Sequence, residues 1–260
     1  MPFTFSHPLA VVPLRRVCPR LLNFAALVVG SMSPDFGYYV RQFPMARFAH
    51  TIPGTFAVCL PTGLIALGVF YLLRRPLCFV LPQPHRAALM PLALRCPAFS
   101  FSAVLATAFS VLLGAWTHTI WDSFTHEGGW AVERFAGLRY SLIHIGSTTL
   151  PISYCLQQAS TFIAGAFLAL SYFRWLRRHP DNTASESGLS DCWRYVVLAL
   201  PATIALAFAV PSALRVASHF EGYLAFRVFV FRTSVYCVAT FIPLFILSSV
   251  ALYVLYRRRG

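Results

Sequence analysis

Apolar positions in this chain fall into long, nearly unbroken runs rather than into the alternation of a half-buried sheet. Gly54–Leu73, Ser100–Ile120, Thr149–Phe173, Tyr195–Leu214 and Thr233–Tyr256 each come near the roughly 20 residues that a helix needs to cross about 30 Å of hydrocarbon. Five full membrane spans are predicted. A sixth stretch, Leu21–Met32, is too short to cross alone. A second short apolar segment, Pro8–Leu14, precedes it, and Arg15, Arg16, Cys18, Pro19 and Arg20 break the chain between them. The pair reads as a re-entrant helical hairpin, with six spans as the alternative. A hairpin would return His7 at its entrance and Asp35 at its exit to the same side of the bilayer. No charged region precedes an uninterrupted apolar one and no small-residue cleavage site follows, so a removable leader is not expected at this start.

Composition agrees with that pattern. Hydrophobic residues make up 58% of the 260 and charged residues 11%, with a mean hydropathy of +0.66, values that exclude an ordinary water-soluble domain. The expected fold is an all-α polytopic membrane helical bundle. It would form one integral membrane domain over 1–260, comprising the hairpin (1–35), a half carrying polar chemistry (36–147) and a three-span C-terminal half (148–260). No internal repeat or heptad run interrupts it. The seven cysteines are scattered without a CxxC pair, so neither disulfides nor a zinc ribbon is expected. Two linkers stand out: the Pro-rich 74–99, and 177–194, where Asp181–Asp191 has the composition of a mobile loop. His85 and His179 in these linkers read as solvated.

The net charge of +13 raises the question of nucleic acid, but all 21 basic residues are Arg and sit at helix ends. They report topology instead. Seven (Arg41, Arg47, Arg134, Arg139, Arg215, Arg227 and Arg232) fall on the side of Asp35 and His50. Fourteen fall on the other: Arg15, Arg16, Arg20, Arg74, Arg75, Arg86, Arg95, Arg174, Arg177, Arg178, Arg194 and Arg257 to Arg259. By the positive-inside rule the Arg-rich side and the C-terminus are cytoplasmic, and the side of Asp35 faces the periplasm or exterior.

Acidic residues number only 8, which makes their positions informative. In Trp116-Thr-His118-Thr-Ile-Trp-Asp122-Ser-Phe-Thr-His126-Glu127-Gly-Gly-Trp130 three polar side chains recur every fourth residue. Positions four apart are offset by about 40° around a helix, so His118, Asp122 and His126 form one stripe. An Asp inside a span costs about 2.5–3.5 kcal/mol on insertion scales, so Asp122 must lie at the water boundary, be paired, or bind metal. His7, Asp35, His50, His118 and Asp122 all map to one membrane face. Imidazole and carboxylate suit zinc or another divalent ion. His118 with Asp122 also fits an interhelical hydrogen-bonded pair, and a lone His at a helix start fits a cap. His126 and Glu127 are accessory, and the absence of HExxH argues against a zincin-type protease. Trp116, Trp121 and Trp130 read as an interfacial aromatic belt. Gln157, Ser160 and Thr161 read as interhelical hydrogen bonding, and His144, His219 and Glu221 as possible extensions of the polar cluster.

The blocks FTFSHP, GSMSPDFGYY, HTIPGTF, WTHTIWDSFTHEGGW and PISYCLQQAS resemble, in order, the signature segments of a bacterial membrane family known as domain of unknown function 4184. More distantly, an early His, a Pro-Asp, a His and a later HxxxD are similar to inner-membrane proteins described as metal-dependent hydrolases. The HxxxD element also resembles the all-helical zinc phospholipase C type of site. That resemblance implies metal ligation by His7, Asp35, His50, His118 and Asp122, with Asp35 or Asp122 as proton acceptor. Gly37 stands where the hydrolase group often has a second acid, and a second His is also missing, which speaks against a full two-metal cluster. The implied activity is hydrolysis of a lipid-linked or amphiphilic ester or phosphoester at the outer interface of the inner membrane, with Arg41, Arg47, Arg134 or Arg139 available to a phosphate. A noncatalytic scaffold and a small-molecule transporter are the alternatives. The expected partners are membrane lipids and no nucleic acid.

Overall fold

A computed structural model describes residues 3–18, 21–95, 100–145, 148–179 and 189–257. The expected loop 181–191 falls almost wholly outside them, as do Cys96, Arg20, Arg258 and Arg259. The helices used below are α1 (Phe24–Gly30), α2 (Phe43–Ala49), α3 (Ile52–Phe79), α4 (Phe101–Thr125), α5 (Ile152–Arg177), α6 (Asp191–Ala217) and α7 (Gly222–Arg257). Five of them, α3 to α7, are long and apolar enough to cross a membrane. Each outruns the apolar stretch that predicted it, because helical hydrogen bonding continues through the polar residues at the ends. Arg227 and Arg232, expected in a loop, therefore lie within α7. Large apolar side chains such as Leu72 and Phe162 are exposed, as lipid-facing positions should be.

The chain divides into two compact units, Met1–Gly68 with Ala98–Tyr172, and Val69–Pro97 with Phe173–Gly260. In the second, α6 buries Val197, Pro201, Ala205, Ala209, Ala213 and Ala217, one position every fourth residue. Small side chains at that spacing let backbones approach closely where lipid offers no hydrophobic drive. Arg86 and Arg194, expected as loop cations, are buried here in helices. The Arg194 guanidinium donates to the carbonyls of Phe79, Leu81 and Leu189, satisfying one carbonyl at the end of α3, one just beyond it and one just before α6.

The first unit carries the polar chemistry. Its N-terminal segment is a 3₁₀ helix, Thr4–Val11, running into a short α-helix, Val12–Val17. Pro8 removes one donor from this segment. With α1 only seven residues long, about 10 Å at 1.5 Å per residue, neither arm can cross a membrane alone. Asn23 begins α1, its side chain accepting from Ala26 N and donating to Thr107 of α4. Gly30 and Gly114 then bring the two helices into backbone contact: a Cβ on Gly114 would meet Leu27 O and lie 2.7 Å from Ser31 N. One departure from helix follows α4, where Ser141–Ile145 and Thr148–Pro151 form an antiparallel pair. The β-branched run Ile143, Ile145, Thr148 and Thr149 favours that pairing, inside a stretch whose sequence reads as loop and helix start.

Candidate metal centre

His118 and Asp122 belong to a single buried stripe of α4 comprising Ser110, Gly114, His118 and Asp122. The small residues of this stripe admit α1, and its next two turns carry the ligands. His118 Nδ1 lies 2.8 Å from the carbonyl of Ser31, just beyond α1. A carbonyl only accepts, so that ring nitrogen carries a hydrogen, and in the neutral ring Nε2 then keeps its lone pair.

The same logic fixes His50. It ends α2, and its Nδ1 lies 2.7 Å from Ala46 O one turn back. The following HTIPGTF residues turn the chain sharply: Thr51 caps the next helix by accepting from Gly54 N, Pro53 suits the first turn, and Gly54 sits against Phe48 O where a Cβ would not fit. A π-helical turn, Thr55–Cys59, follows. Trp116 donates to Thr55 at 3.2 Å, so its indole braces α4 against this turn.

His50 Nε2 and His118 Nε2 face each other at 3.2 Å. Around them stand Asp122 Oδ2, 3.3 Å from His118 and 3.5 Å from His50, and Asp35 Oδ1, 3.6 and 3.5 Å from the same two atoms. His7 stacks on His118 with ring centroids 3.6 Å apart, and its Nε2 lies 3.6 Å from Asp122 Oδ1. His7 Nε2, Asp35 Oδ1 and Asp122 Oδ1 are buried without a hydrogen-bond partner. Leaving such atoms unsatisfied costs about 1–3 kcal/mol each, more when charged. His7, Asp35 and His118 on one side, and His50, His118 and Asp122 on the other, could each hold a metal ion. Tetrahedral zinc bonds of 2.0–2.1 Å place ligand atoms about 3.3 Å apart, and the spacings of His50 and His118 to each other and to the two carboxylates run from 3.2 to 3.6 Å.

Electrostatics sharpen the same picture. Burial pushes His7 down to about 3, so its ring is neutral. Burial would also depress His50, but the Asp122 and Asp35 carboxylates outweigh it and carry the ring up to about 10, so without a metal its Nε2 holds a proton that a bound ion would displace. Burial works to raise the Asp35 carboxyl, while His118 and His50 hold it below its usual range. Two carboxylates sharing one buried space require positive charge, whether from protons or from a metal.

Asp35 is held from behind. Thr4 donates to its Oδ2 at 2.5 Å, and Tyr39 donates to Thr4 at 2.7 Å. Neither Thr4 nor Tyr39 stands out as a site residue in the sequence; the fourfold spacing of Asp35 and Tyr39 in SPDFGYY is a signal for the second alone. Thr4→Val should strand both Oδ2 and the Tyr39 hydroxyl. A loss of about 1–3 kcal/mol is expected, read as a lower melting temperature in detergent that Thr4→Ser restores.

His126, the cap residue after α4, comes closer than an accessory role implies. Its Nδ1 is 3.6 Å from Asp122 Oδ1, and its Nε2 lies 3.2 Å from Gln157 Nε2 of α5. Gln157 thus makes an interhelical contact, as expected, but at the edge of the site. Glu127, Arg41 and Arg47 are exposed, as are Arg134, Arg139 and His144 in the same unit and His219 and Glu221 in the other; they are outside the buried cluster. Gly37 shows why the second acid of the hydrolase pattern is missing. A Cβ there would sit 2.6 Å from Ala46 N, so α2 occupies the space.

Fold and site together define a multi-pass helical membrane protein with a buried His/Asp group that could hold a metal ion. The chain belongs to the family described as Domain of unknown function (DUF4184), whose profile matches residues 1–253. No curated protein and no solved structure matches it.

Proposed function

We propose that this protein is a divalent-metal-dependent hydrolase, acting on an ester or phosphoester of a lipid or lipid-linked substrate at the membrane surface. One observation carries the reading: two imidazoles anchor their Nδ1 atoms on carbonyls and turn their Nε2 atoms on each other and on two carboxylates. A ring anchored in this way through its far nitrogen is the usual arrangement of a metal-binding His. Three nitrogens and two carboxylates suit zinc before magnesium or calcium.

His7, His50, His118 and Asp35 would hold the ion. Bound there, it would supply Lewis acidity that lowers the pKa of water and polarises a carbonyl or phosphoryl oxygen. Asp122 is the better proton acceptor of the two acids, because Asp35 is fixed by Thr4 while Asp122 adjoins the part-exposed His126. His126, oriented by Gln157, can pass that proton outward. Arg41 and Arg47 are exposed and could contact a phosphate headgroup. The excess of Arg on the opposite side supports a site facing the exterior of a bacterial inner membrane, with the C-terminus inside.

The test is hydrolysis of long-chain ester and phosphoester lipids by the full chain in detergent, stripped with chelator and reloaded with zinc or manganese. Activity should return with metal. Asp122→Asn should lower kcat by about 10²–10⁴-fold, the range for general-base loss, while keeping most of the bound metal. Full metal occupancy with no turnover of any lipid would leave a metal-stabilised scaffold instead.

A further inference from the structure

A cavity of about 360 Å³ opens beside the centre within the first unit. Its walls are Leu9 and Ala10 of the N-terminal 3₁₀ helix and, on α5, Leu156, Ala159, Ile163 and Ala164. Those α5 positions share one helix face. They cover eight residues of rise, about 12 Å along the helix axis. The polar wall is confined to Ser6, His7 and Ser160. Two of these are already engaged: Ser6 donates to Thr161 O, and Ser160 donates to Gln157 O while accepting from Trp121, itself a lining residue. His7 differs. Its side chain is 1% exposed and its Nε2, 3.6 Å from Asp122 Oδ1, has no hydrogen-bond partner, so one residue both walls the groove and belongs to the metal centre.

From this we infer that the groove seats a single hydrocarbon chain of the substrate, entering sideways from the lipid phase and setting the polar linkage of that lipid against His7. The substrate part of this inference rests on the hydrolase reading above. Three observations select the occupant. Leu156 and Ile163 are exposed on a helix long enough to cross a membrane, so the medium against this wall is hydrocarbon. The walls are apolar and Ala-rich, offering volume rather than hydrogen bonds, and the size falls within the range of ligand sites. The polar residues gather at one place, where the group to be cleaved would have to lie.

The experiment uses the full chain in phosphatidylcholine vesicles containing a phosphatidylcholine with a photoactivatable group midway along one acyl chain. Cross-links should concentrate on the peptides carrying Leu9–Ala10 and Leu156–Ala164. Ala159 is exposed toward the groove, so Ala159→Trp fills it without crowding the packed interior. That variant should lose most of this labelling and keep its metal. Ala159→Met, a smaller and unbranched filler, should lose an intermediate share, which keeps the test valid if the Trp variant folds poorly. Labelling spread evenly over the outward faces of α3 to α7, labelling indifferent to Ala159→Trp, or protein-to-protein cross-links at these peptides would overturn the inference. Because the groove is built from side chains alone, focused labelling should persist after chelation. Focused labelling without metal-dependent hydrolysis would sink the hydrolase reading and leave the groove; hydrolysis without focused labelling would do the reverse.

Discussion

His118→Ala is expected to strip the protein of metal. His118 is common to both ligand groups, is fully buried, and is the residue on which His7 stacks and which His50 faces. Its loss removes one nitrogen ligand, frees His7 to swing, and takes away an imidazole 3.3 Å from Asp122 and 3.6 Å from Asp35. Disturbing even a group that only orients a ligand typically costs 10–100-fold in metal affinity, so losing this ligand should cost about 10²-fold or more. Elemental analysis of detergent-purified protein should find metal in the wild type and almost none in the variant. His126→Ala, which removes a residue at the rim, should keep most of it. Wild-type levels of metal in His118→Ala would mean that the ion is held elsewhere; no metal in the wild type would mean that the cluster is a proton-bridged ion-pair network, its charge balanced by protonated His50.

Much of this centre is legible in the amino-acid sequence. Long apolar runs announce spans because lipid leaves few other ways to satisfy a backbone, and fourfold spacing on such a run places His118 and Asp122 on one face. That His7, Asp35 and His50 meet them follows from topology, since a hairpin and a following span start return to the same side. The groups that orient the ligands are not legible in this way. The acceptors of His118 and His50 are main-chain carbonyls at Ser31 and Ala46, and a carbonyl has no residue identity to recognise. Arg86 and Arg194 mislead for a related reason: an Arg flanking a span is usually a headgroup anchor, and only the fold supplies the unpaired carbonyls that draw Arg194 inside. The strand pair at 141–151 escapes a sequence reading because a short β-branched run beside an apolar helix cannot be told from the helix by periodicity.

Gly114→Val should do comparable damage without touching a ligand. A Cβ at 114 would run into Leu27 O and lie 2.7 Å from Ser31 N, and both are main-chain atoms of the α1 end that cannot step aside as a side chain can. Overpacking a well-filled site costs about 1–3 kcal/mol where neighbours can shift, so a backbone collision should sit at or above the top of that range. The helices must separate, and separation falls on the chemistry at once. Ser31, whose carbonyl orients His118 at 2.8 Å, follows directly after α1, and His118 is one turn along α4 from Gly114. An ångström of displacement breaks that hydrogen bond and frees the ring to flip its tautomer, turning the bare Nε2 into an N–H. The expected result is a lower melting temperature together with loss of bound metal. Gly68 is the matched control: it lies on α3, and a Cβ there meets nothing within 4 Å. Gly68→Ala should hold its metal and gain about 0.5–1 kcal/mol, since glycine inside a helix carries that entropic cost. If Gly114→Val melts and binds metal like Gly68→Ala, the close approach of α1 to α4 is not what aims His118. The small-residue stripe Ser110–Gly114 would then be a packing feature with no bearing on the centre it leads into.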